Sequence, residues 1–104
     1  MKAARSKGRD DVFYFIAKGD YLFSVPEEKP AEKAENVIDA IELYTSAIET
    51  GERIGIPYMR LLDAFEYIDD ARGIQQTAKL LKDMGYDLPS ARAAKYRAAG
   101  IELP

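Results

Sequence analysis

Apolar residues return at helical spacing through the second third of this chain, and glycines and prolines cut the pattern into short pieces. Val37, Ile41, Tyr44 and Ile48 stand at steps of four, three and four, with Ile38 beside them. That spacing lays one apolar stripe along one face of a helix. Glu35, Asp39, Glu42 and Glu49 fall on other faces of the same helix. Pro30 or Ala31 opens it, and Gly51 or Gly55 ends it. Tyr58, Leu61, Leu62, Phe65 and Ile68 continue the period behind Pro57, which predicts a second helix over 57–70 punctuated by Gly73. Ile74, Ala78, Leu81 and Met84 predict a third, ending at Gly85. Leu88-Pro89-Ser90 opens a fourth, with Ser90 able to cap locally, and Gly100 closes it.

Residues 12–25, VFYFIAKGDYLFSV, break the pattern. They are dense in aromatic and β-branched residues around Lys18-Gly19-Asp20. That composition favours a β-hairpin with strands near 12–17 and 21–25. The alternative is a helix capped by Asp10 or Asp11, with Val12, Phe15, Ile16, Leu22 and Phe23 on one face. Gly19 in mid-helix would then cost about 1 kcal/mol. The expected fold is mostly α, a small helical bundle of four helices with this N-terminal hairpin or short helix packed on it.

A chain of 104 residues is one domain. Residues 1–10 read as a basic flexible tail and 11–104 as the globular part. Hydrophobic residues at 47 % are enough for a core. Apolar runs are too short to span a bilayer, and the N-terminus lacks the apolar stretch of a signal peptide. The expected location is cytoplasmic. There is no cysteine and no histidine. Disulfides, thiolate chemistry, the commonest general base and the commonest metal ligand are all excluded. No phosphate-binding glycine loop, nucleotide fingerprint or nucleophile motif is present. The expectation is a protein without catalytic residues, metal or cofactor.

Charge is segregated along the chain. Residues 10–70 carry fifteen acids and five bases, a balance of −10, whereas 71–103 carry six bases and three acids, a balance of +3. The first nine residues add Lys2, Arg5, Lys7 and Arg9 without an acid. Such blocks point to charged partners.

In the basic block, Arg92 and Lys95 lie one turn apart on a helix of alanines, and small side chains permit close approach to a major groove. Lys79 and Lys82, one turn apart on the preceding helix, could hold phosphates. Arg72, Ser90 and Arg97 complete a candidate nucleic-acid surface, with Lys2, Arg5, Lys7 and Arg9 as a possible arm. Residues 74–99, with Ile, Ala, Leu-Leu, Gly and then a basic second helix, resemble the helix-turn-helix units of many phage and plasmid regulators. That resemblance covers about thirty residues and implies a small regulatory or accessory DNA-binding protein.

The acidic block supports another reading. Glu35, Asp39, Glu42, Glu66, Asp69 and Asp70 could form a surface that attracts a basic protein partner or imitates nucleic-acid phosphate. The carboxylate pairs Asp69-Asp70, Asp63 with Glu66, and Glu27-Glu28 lack the loop spacing of a metal site and read as solvated helix faces. The rings Phe13, Tyr14, Phe15, Tyr21 and Phe23 would crowd both faces of a hairpin, which points to a homodimer.

Overall fold

A computed structural model describes residues 9–26 and 29–104, with side chains from Asp11 onward. Its described residues form five helices and no strand. They are α1 (Arg9–Ser24), α2 (Pro30–Glu49), α3 (Ile56–Tyr67), α4 (Ala71–Asp83) and α5 (Ser90–Ala98). Helix α1 packs on α2 and touches α3, α2 packs on α3, and α3 on α4.

The fifth helix, α1, begins at Arg9, so Asp10 and Asp11 lie inside it and do not cap it. Residues 12–24 belong to this helix and not to the hairpin favoured over 12–25. The reason lies at Gly19. It is buried against the ring of Tyr44, and a Cβ there would stand 2.7 Å from Tyr44 Cε1. Val12, Ile16 and Gly19 therefore share one inward face at helical spacing. The propensity lost at glycine is offset by the close approach of two helices. Tyr44 also donates its hydroxyl to Asp20 Oδ1 at 2.6 Å, and Arg60 Nε donates to the same oxygen at 3.0 Å, so α1, α2 and α3 meet at one carboxylate. Burial, then the hydrogen bond to Asp20, pushes the Tyr44 phenol pKa upward. At the end of α1, Lys33 Nζ donates to the carbonyl of Val25 at 3.1 Å and to that of Phe23, and it lies over the rings of Phe23 and Tyr67. A cation there complements the negative end of the helix dipole.

The stripe on α2 is buried as its spacing requires. Val37, Ala40 and Tyr44 form one cluster with Leu61 and Ala64 of α3. A second cluster joins Tyr58 and Leu62 of α3, Ile74 and Leu81 of α4, and Tyr96 of α5. A third joins Val12 and Ile16 of α1 to Ala47.

The break between α3 and α4 falls earlier than Gly73. Helix α3 stops at Tyr67, and Asp69 takes the left-handed conformation at φ 59°. The amides of Asp69 and Asp70 bond back to Glu66 and Phe65 in a Schellman-type closure. Asp70 then caps α4, accepting from the Gly73 amide at 3.0 Å. Gly73 lies inside α4, where a Cβ would come 2.6 Å from the Phe65 ring. Gly85 and Gly100 close α4 and α5 at φ 92° and 84°, as glycines past a helix end do. Ser90 is the first residue of α5 and does not cap it. Pro89 holds that position, with no side-chain cap.

Candidate functional site

The basic C-terminal block folds back on the acidic middle. Helix α5 has no Cα within 8 Å of another helix's Cα and is joined to α3 by long side chains. Arg92 Nη2 donates to Asp63 Oδ1 at 2.7 Å, and its Nη1 donates to Glu66 Oε2 at 3.0 Å. Lys95 Nζ donates to Glu66 Oε1 at 2.7 Å. The Tyr96 hydroxyl donates to Glu66 Oε2 and accepts from Arg92 Nη1 at 3.0 Å. Glu66 is thus the hub of a five-residue network.

Burial alone would raise the Glu66 pKa. The hydrogen bonds from Lys95 and Tyr96 and the charge of Arg92 outweigh it and hold the carboxyl below its ordinary value. Burial, and then the bond to Glu66, drives the Tyr96 phenol upward.

Two cations and two carboxylates in one network sum to no net charge. The Arg92 side chain is only 23 % exposed, whereas that of Lys95 is 65 % exposed. A phosphate approaching this pair would meet Asp63 and Glu66 as well, so long-range attraction here is weak.

The remaining candidates on the basic side are placed differently. Arg72, Lys79, Lys82 and Arg97 are exposed and make no ion pair among the described residues. Arg72, Lys79 and Lys82 lie along α4. Ser90 and Arg97 line, with Lys82, a cleft of about 280 Å³ between α4 and α5. Lys2, Arg5 and Lys7 lie outside the described residues, as does the side chain of Arg9. Glu27 and Glu28 lie outside them too.

The acidic candidates also divide. Glu66 and Asp70 hold the fold together, and Asp69 forms the turn. Glu35, Asp39 and Glu42 are exposed on α2, and Glu32 and Glu49 extend the same row. At 100° per residue these five carboxylates fall within about 100° of arc and extend for about 25 Å. They lie opposite the buried stripe of Val37, Ala40, Tyr44 and Ala47. Among the described residues, the sole cation paired with the row is Lys29, 4.0 Å from Glu32 at its N-terminal end. Ile38 lies exposed on its flank. The candidate acidic surface read from the sequence stops short of this ridge: it lacks Glu32, and it lacks Glu49 although that residue falls on the outward faces of the same helix. The signal was present, since positions 32, 35, 39, 42 and 49 keep helical steps of three, four, three and seven.

The rings expected to drive dimerisation are partly exposed. Phe13, Tyr14 and Tyr21 face outward on α1, while Phe15 and Phe23 are partly buried. Among the described residues, no helix is long and apolar enough to cross a membrane, and no group of three acids is placed to hold a metal ion. Comparison with protein families, with curated proteins and with solved structures gives no match to this chain.

Proposed function

We propose that this protein is a non-enzymatic adaptor or inhibitor that binds a basic protein partner through the acidic ridge of α2. The observation carrying this reading is the row Glu32, Glu35, Asp39, Glu42 and Glu49, outward-facing, regular in spacing and with one cation at its end. Like charges held a turn apart repel each other and cost stability in the free protein. A partner bearing Lys or Arg at matching spacing relieves that repulsion and is steered to the ridge. Ile38 supplies an apolar contact beside the charges. The partner surface that fits is a helix with basic residues on one face and an apolar residue at its edge. The absence of histidine and cysteine supports a non-catalytic role.

Contact with DNA is the second reading. It draws on the resemblance of 74–99 to helix-turn-helix units and on Arg72, Lys79 and Lys82, which are exposed on α4 and make no ion pair among the described residues. Amide chemical shifts separate the two. Titration with a lysine-rich amphipathic peptide is expected to move α2 amides around Glu35 to Glu42. Titration with random duplex DNA is expected to leave them in place. Saturable shifts on α4 with DNA, and none on α2 with the peptide, would reverse the ranking.

A further inference from the structure

The cleft between α4 and α5 has a different chemistry from either charged surface. Its lining includes Ala78, Leu88, Ala93 and Leu103, which supply apolar wall. Lys82 and Arg97 come to it from two different helices, and neither side chain has an ion-pair or hydrogen-bond partner among the described residues. Elsewhere on α5 the cations Arg92 and Lys95 are both satisfied by carboxylates. Asp87 is the one acid in the lining, and it makes no ion pair with either cation. The side chains of the lining therefore bring two cations and one acid to the cleft. Its volume, about 280 Å³, lies near the lower end of small-molecule sites.

We infer that this cleft is a binding site for a compact organic carboxylate with an apolar body. The carboxylate lies between Lys82 and Arg97, where the guanidinium can engage both oxygens. The apolar body lies against Ala78, Ala93 and Leu88. Ser90, also in the lining, carries a hydroxyl that can donate as well. The Gly85 turn places Tyr86 and Leu88 at the rim, and its closure, with the Tyr86 amide bonded to the Leu81 carbonyl at 3.0 Å, fixes that rim before any ligand arrives.

The test is a titration of the full chain with benzoate, followed by amide chemical shifts. Benzoate is expected to shift the amides of Lys82, Tyr86, Ala93 and Arg97 saturably in the millimolar range. Benzyl alcohol, which lacks the charge, is expected to bind about tenfold more weakly. The variant Lys82→Gln with Arg97→Gln changes two exposed side chains that make no ion pair or hydrogen bond among the described residues, so it should fold as the parent does. It is expected to lose benzoate affinity by at least about tenfold. Three results would overturn the inference: no saturable shift, unchanged benzoate affinity in the double variant, or equal binding of benzyl alcohol. Shifts of the same amides by duplex DNA but not by benzoate would also overturn it and assign the two cations to nucleic-acid phosphate.

Discussion

Arg92 and Asp63 meet at 2.7 Å across the gap between α5 and α3, so a residue from the basic block is spent on one from the acidic block. The Arg92 guanidinium has three partners and little exposure, whereas Lys95 has one partner and is mostly in water. Charge-assisted bonds to a sheltered group stabilise by about 1.5–3 kcal/mol, and exposed pairs by about 0–1 kcal/mol. Arg92→Ala is therefore expected to cost more than Lys95→Ala by about 1 kcal/mol or more in urea unfolding. Equal costs would mean that the network does not hold α5.

Glu66 gives the same network a pH dependence. Its folded pKa lies below the ordinary carboxyl value, so its contribution is fully present above the unfolded pKa, near 4.3. That contribution is lost as pH falls through the lower, folded value. Thermal midpoints should decline as acid is added below about pH 5. The decline should be shallower in Glu66→Gln, which starts from a less stable fold. An identical acid slope in parent and variant would show that the carboxyl is not stabilised by its neighbours.

Gly19 provides the sharpest test of how α1 sits. Alanine normally gains about 1 kcal/mol over glycine in a helix. Here the new methyl would meet the fully buried ring of Tyr44, itself held by Asp20, and overpacking costs about 1–3 kcal/mol. Gly19→Ala should be net destabilising in chemical denaturation. A rise in stability would place α1 farther from α2.

Phe13, Tyr14 and Tyr21 form an exposed aromatic ridge on α1. Pairing of two copies through it is expected to appear as concentration-dependent sedimentation in the micromolar range, and to vanish in Tyr21→Glu. Sedimentation as a monomer at every concentration would leave the ridge solvated.

Much of the helical part was legible because its signals are local. Prolines at the starts of α2 and α3 and the glycines after α2, α4 and α5 act within one turn, and the stripe on α2 is carried by its own spacing. What the sequence hid was tertiary. Nothing local shows that Gly19 is needed under Tyr44, so aromatic and β-branched composition pointed to a hairpin. Asp69 in the left-handed conformation gives a weaker signal than glycine, so the sequence points to Gly73 as the punctuation between α3 and α4. The pairing of Arg92 with Asp63 spans 29 residues, beyond any local pattern, and it changes the meaning of the basic block. The ridge of α2 was partly visible because helical spacing alone defines it.

Charge reversal on that ridge, measured as affinity for a lysine-rich amphipathic helix, tests the proposed function most directly. Asp39→Lys with Glu42→Lys is compared with Asp83→Lys with Glu102→Lys, which changes net charge equally at exposed sites elsewhere. Raising salt from roughly 0.01 M to 0.15 M shortens the Debye length from about 30 Å to about 8 Å, so parent affinity should fall across that range. The ridge variant is expected to lose binding at both salts, while the control variant keeps most of it. Equal loss in the two variants would contradict a defined acidic interface and leave only a net-charge effect.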